Sequence, residues 1–152
     1  MFTLVPSHFF DPAAAREALA QVADLKDGDV VKHIDIPQYD AVLVYTPDGD
    51  SVVSETPEIF RILTRLPLCP EYNKILCSLR EGQFYLAVAQ GKSLLLANSF
   101  PARDFTTAEY FLFLALNSLQ LNPEISTVCW LSPLDAEDEM SLYRYFKAVE
   151  TL

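Results

Sequence analysis

Three cysteines, two histidines and a scatter of carboxylates are the side chains here that could bind a metal or act as a nucleophile. Cys69, Cys77 and Cys129 show no Cys-x-x-Cys spacing, and no ligand spacing joins them to His8 or His33, so a structural metal is not expected. Cys77 and Cys129 lie in apolar, strand-like runs and read as inert core thiols. Cys69, in Leu66-Pro67-Leu68-Cys69-Pro70, reads as a loop thiol open to solvent. An odd set without framework spacing argues against a disulfide-stapled secreted fold. His8 stands beside Ser7, but no Ser/His/Asp or Cys/His set can be assembled around it. The acids Asp135, Glu137, Asp138 and Glu139 lack the glycine and alternating oxygen ligands of a calcium loop; they read as a solvated helix start. Asp104 beside Arg103 reads as a local ion pair. No catalytic, cofactor-binding or metal-ligating residue is nominated, and no cofactor is expected.

Phosphate chemistry is equally poor in parts. Neither GxxxxGK[ST] nor GxGxxG occurs, and the chain has only four glycines. Net charge is −10, from 21 acidic against 11 basic residues. Nucleic acid is therefore not an expected partner, because phosphate binding needs clustered Lys and Arg. The charge serves solubility, and a basic protein or peptide is the partner class it would suit. With 51% hydrophobic residues, ten Phe and seven Tyr, the 152-residue chain can bury a core without staples. No signal peptide is visible at the N-terminus. The most apolar stretch, Tyr110 to Leu116, is far shorter than the ~20 residues a bilayer span needs. The expected location is cytoplasmic.

Those residues must be positioned by a mixed α+β fold. Phe2 to Val5 reads as a strand. Asp11-Pro12 starts a helix over Ala13–Ala23, with the acid as N-cap and proline at the first helical position. Val30–Ile36 and Ala41–Tyr45 form a hairpin across Pro37-Gln38-Tyr39-Asp40, and Pro47-Asp48-Gly49-Asp50 is a turn. A helix follows over Thr56–Arg65, its stripe made by Ile59, Ile62, Leu63 and Leu66. The prolines of Leu66–Pro70 mark a boundary, giving domains 1–68 and 69–152. The second half is an antiparallel meander, Asn73–Leu79, Gln83–Ala89 and Ser93–Ser99, turning at Glu81-Gly82 and Gln90-Gly91. A linker over Phe100–Phe105 leads to a helix from Thr107 to about Leu121, with Thr106 as N-cap and Glu109 closing a capping box. Ser126–Leu131 is a central strand, parallel to the first of the meander. A last helix runs to Val149, with Leu142, Tyr145, Phe146 and Val149 inward. The order β-β-β-α-β-α is that of a ribonuclease H-like module, echoed only vaguely by the α-β-β-α of the first half.

Asn98-Ser99-Phe100, Asp104-Phe105-Thr106-Thr107-Ala108-Glu109-Tyr110-Phe111, Gln120-Leu121-Asn122-Pro123-Glu124 and Met140-Ser141-Leu142-Tyr143-Arg144-Tyr145-Phe146 carry a family resemblance. The chain resembles an uncharacterised bacterial family of the actin-like ATPase superfamily, alongside pilus-assembly actin-like proteins. The similarity is strongest over 72–152 and weaker over 1–68. It implies two ribonuclease H-like lobes, with phosphates held at Asp- and Gly-rich turns between the first two strands of each lobe. The matching turn, Leu79-Arg80-Glu81-Gly82-Gln83-Phe84, has one glycine and no aspartate, so Gly82 reads as a hairpin residue. Ribonuclease H-like nucleases need converging carboxylates, and Asn73 to Ser99 carries no acid but Glu81. About 70 residues before the boundary are few for a complete lobe, and a chain stopping at a helix would leave the second lobe short.

These readings lead to a non-catalytic interaction or scaffolding protein on a degenerate actin-like fold. One alternative is a nucleotide-binding protein whose phosphate site is completed outside this chain. Another is a small-molecule-binding domain using an inter-lobe cleft. A protein partner or self-association is expected through the first half, whose few strands leave an open edge.

Overall fold

The computed structural model describes residues 1–47 and 56–152; the turn expected at Pro47-Asp48-Gly49-Asp50 lies largely outside them. The chain divides into two compact units, Met1–Arg61 and Ile62–Leu152.

In the first unit β1 (Phe2–Pro6), β2 (Lys32–Ile36) and β3 (Ala41–Tyr45) form an antiparallel sheet in the order β1-β3-β2. Phe2 pairs with Tyr45 on one side of β3, and Lys32 pairs with Tyr45 on the other. All five residues of β3 are buried, as a strand covered on both edges and both faces requires. The β2–β3 connection turns through Pro37–Tyr39 and a left-handed Asp40 (φ 49°), a conformation aspartate tolerates. Asp11 caps as expected, accepting from the Ala13 amide, but a 3₁₀ turn over Pro12–Ala14 follows and α1 covers only Ala15–Ala20. The expected helix to Ala23 is cut short by the loop after it. Asp29 Oδ2 takes the Lys26 amide, and Arg16 donates to the Asp29 and Lys26 carbonyls. What α1 buries is Ala15 and Leu19, against Val42 and Val44.

α2 (Glu58–Arg65) lies across the division, with Ile59, Ile62 and Leu63 fully buried. In the second unit β4 (Asn73–Arg80), β5 (Gln83–Gln90) and β6 (Ser93–Pro101) form the meander. Glu81 (φ 51°) and Gly82 (φ 75°) both have positive φ, the geometry of the tight turn whose twist matches a hairpin. The second turn is Gly91-Lys92, one residue later than expected, with Gly91 at φ 57°. A Cβ at Gly91 would stand 3.2 Å from the Tyr72 ring. The β5–β6 register slips between Val88↔Leu96 and Ala89↔Leu94, so Leu95 is an extra residue bulged on the edge strand.

α3 (Phe105–Ser118) crosses over to β7 (Thr127–Trp130), and β7 lies parallel to β4, Leu76 facing Cys129 and Cys77 facing Trp130. The helix ends earlier than Leu121. Gln120 (φ 58°) donates to the Asn117 carbonyl and Leu121 to the Leu116 carbonyl, the paired bonds of a Schellman end with glutamine in the left-handed place.

The last segment differs most from expectation. α4 covers only Ala136–Tyr143, and Ala148–Thr151 is β8, parallel to β7 with Val128 opposite Val149. The amides of Arg144, Tyr145 and Phe146 close the helix end, and the Lys147 amide bonds the Ser126 carbonyl, bringing the chain alongside β7. Without β8, the buried β7 would keep an unpaired ladder on one side. The sheet order is β6-β5-β4-β7-β8, and the second unit reads β-β-β-α-β-α-β. Phe84, Leu86, Val88, Val128 and Trp130 on one sheet face pack with Ala108, Leu112 and Leu116 of α3 and Leu142 of α4.

Candidate functional site

The place to look for phosphate chemistry is the β4–β5 turn, and the backbone beside it is partly engaged. The Ser132 hydroxyl accepts from the Leu79 amide at 2.9 Å and from the Trp130 indole Nε1 at 2.7 Å. The Gly82 carbonyl accepts from the Ala102 amide at 2.9 Å. Beside the turn is a run of aromatic rings in contact. Trp130 lies 5.9 Å from Phe84 and 5.4 Å from Phe105, Phe84 lies 6.3 Å from Phe100, and Phe100 lies 4.8 Å from Phe111. Phe84 and Trp130 are fully buried. A phosphate needs free amides and small side chains to approach. Next to this turn the Leu79 amide of β4 is tied to a serine, and the adjoining core is made of large rings.

The carboxylates are used structurally. Asp104, not Thr106, is the N-cap of α3, and its Oδ1 accepts from the Thr107 amide at 2.8 Å. Hydrogen bonds from the Thr107 backbone, and then from its side chain, hold the Asp104 carboxyl below the usual carboxylate range. The helix starts two residues early because aspartate is as good a cap as threonine and stands three residues after the end of β6 at Pro101. Glu109 then does not close a capping box; both of its oxygens accept from the Ser141 hydroxyl of α4, at 2.8 and 3.1 Å. Asp135 caps α4, accepting from the Asp138 amide at 2.8 Å. Desolvation, and then the neighbouring Asp135 and Glu137, raise the Asp138 carboxyl. Among the described residues no group of three His, Cys, Asp or Glu side chains could hold a metal ion.

His8 packs on Phe9 at 4.1 Å and His33 on Phe10 at 4.9 Å, each a ring against a neighbouring ring. Cys69 is not open to solvent but buried, its Sγ 4.0 Å from the Ile75 carbonyl. The turn at Leu66–Leu68 folds it inward beside β4. The neighbouring Cys69 thiol, followed by burial, pushes the Cys129 thiol up. Burial does the same to Cys77. Raised, buried thiols are poor nucleophiles.

Residues 1–149 match the profile of a family described as protein of unknown function, DUF3822. The chain belongs to this family. No curated protein matches it. Among solved structures, a Bacteroides thetaiotaomicron protein described as having an actin-like ATPase fold and unknown function is similar over 99% of this chain, with a TM-score of 0.78 and 19% identity. This DUF3822 member has the actin-like ATPase fold, as the family resemblance implied. It spans 64% of the length of the Bacteroides protein.

Sequence reasoning missed Ser132, which ties β4 to the end of β7. The signal was present: a buried indole needs an acceptor, and Trp130-Leu131-Ser132 places a hydroxyl two residues on. No helix of the described residues is long and apolar enough to cross a membrane.

Proposed function

We propose that this chain is a non-catalytic interaction module built on the actin-like ATPase fold. The observation that carries the reading is the β4–β5 turn, where Ser132 occupies the Leu79 amide and Trp130 and Phe84 fill the space behind it. The Leu79 amide beside the turn is spent on a side chain of the same chain. The meander strands also carry no carboxylate to organise Mg²⁺. Calorimetric titration of the protein with ATP and ADP in the presence of Mg²⁺ tests this. No saturable heat is the expected result, and stoichiometric binding sinks the reading.

One observation favours a second reading. The structurally similar Bacteroides protein is longer than this chain, which spans 64% of it. Under this reading a phosphate site is completed by groups outside the chain. Nucleotide binding that appears only when a partner protein is added would favour it over the first.

A further inference from the structure

The helical face of the second unit is unusual for a surface. α3 buries Ala108, Leu112 and Leu116, yet on the opposite side it leaves Tyr110 62% and Leu114 48% exposed, four residues apart and so on one ridge. α4 contributes Met140 at 63%, and just beyond its end Tyr145 is 49% exposed. Two contacts join the helices, Glu109 with Ser141 and Phe113 with Tyr145 at 4.8 Å. Both pairings advance in the same direction along the chain, so α3 and α4 run side by side and parallel, and the apolar side chains flank one seam.

We propose that this seam docks a basic amphipathic helix of a partner protein, a proposal that rests on the interaction reading above. Helices satisfy their own backbone groups, so a strand would find no ladder to join here. An occupant must satisfy its own backbone and offer an apolar ridge, which is what an amphipathic helix does. Charge sets the rest. The four acids of Asp135–Glu139 stand at the start of α4 against one cation, Arg144, at its end, and α3 carries no cation. A second copy of this chain would bring the same acids and a further net charge of −10. A helix bearing Lys and Arg beside its apolar ridge complements both features.

The test uses two synthetic 18-residue amphipathic helices with the same leucine stripe, one with lysine and one with glutamate at the polar positions. Calorimetry and amide chemical shifts are read on the whole protein. The lysine peptide should bind one to one, perturb residues 106–118 and 136–145, and bind at least about tenfold more tightly than the glutamate peptide. Tyr110→Ser with Leu114→Ser should weaken it at least about tenfold, and Met140→Ser should weaken it independently. Ile125→Ser, at a 64% exposed position outside α3 and α4, should leave it unchanged. Matching urea midpoints show that each variant is folded. Absence of binding, equal binding of both peptides, or equal loss in Ile125→Ser overturns the proposal. So does self-association, or binding to phosphatidylcholine vesicles, that disappears in the Tyr110/Leu114 variant, since either assigns the face another occupant. Nucleotide binding with peptide binding intact would overturn only the non-catalytic reading.

Discussion

The two units solve the same burial problem with unequal means. The second wraps a cluster of fifteen buried residues between a five-stranded sheet and two helices. The first has a three-stranded sheet, and the face under α1 rests on Ala15, Leu19, Val42 and Val44. A six-residue helix covers little area, and small aliphatic side chains contribute less than the rings that fill the second unit. The edge strands differ as well. β6 is blunted by its Leu95 bulge, by Pro101 at its end and by Asn98, whose Oδ1 takes the Ser99 amide. The first unit's β1 and β2 are five-residue strands, each flanking the buried β3. On the helix-covered faces, it is the size of the helix and of the side chains that separates the two.

The sharpest way to break this comparison is at the centre of the larger core. Trp130→Ala removes a fully buried indole that contacts Phe84 and Phe105 and should cost ~4 kcal/mol. Amide exchange should accelerate across β4–β8 and leave β1–β3 less affected; equal acceleration in both units would dissolve the distinction. Leu19→Ala is the counterpart in the first unit, with an expected cost of ~3 kcal/mol. Its effect should appear in β1–β3 amides, and a loss confined to β4–β8 would contradict the assignment.

Ser132→Ala asks whether the serine holds the β4–β5 turn as the structure suggests. It strands the Leu79 amide and the Trp130 indole together and should cost about 2 kcal/mol by urea unfolding. An unchanged midpoint would remove Ser132 from the account of the turn.

The smallest effect is at the start of α3. Asp104→Ala should lower stability at neutral pH, while Thr106→Ala should leave it unchanged. Because the folded Asp104 carboxyl titrates below its usual value, its contribution is present above the ordinary carboxylate range and is lost as pH falls through the depressed value. The difference between wild type and Asp104→Ala should therefore shrink in acid. A difference that grew in acid would reverse the sign of the assigned interaction.

The meander was legible because its information is local. Two-residue turns at Glu81-Gly82 and beside Gly91 set the register between strands that follow one another. The crossover to a strand parallel to β4 was legible too, because a helix between strands of one sheet leaves few topologies. Part of the candidate turn could be read the same way: one glycine, no aspartate, a hairpin. Its filling by Trp130 and Ser132 could not, since the indole reaches Phe84 from a strand more than forty residues away in sequence.

Composition, the meander, the crossover and the missing phosphate motifs were determined by sequence alone, because each depends on residue type or on neighbours close along the chain. Three features were decided only in the tertiary structure. Ala148-Val149-Glu150-Thr151 is a strand because β7 needed a partner on its second side. Asp104 rather than Thr106 caps α3 because β6 runs two residues longer and delivers the chain to the helix earlier. Cys69 is buried because its loop folds beside β4, where the Cys129 thiol meets it. In each case competing local preferences lay close in free energy, and packing against a distant element tipped the balance.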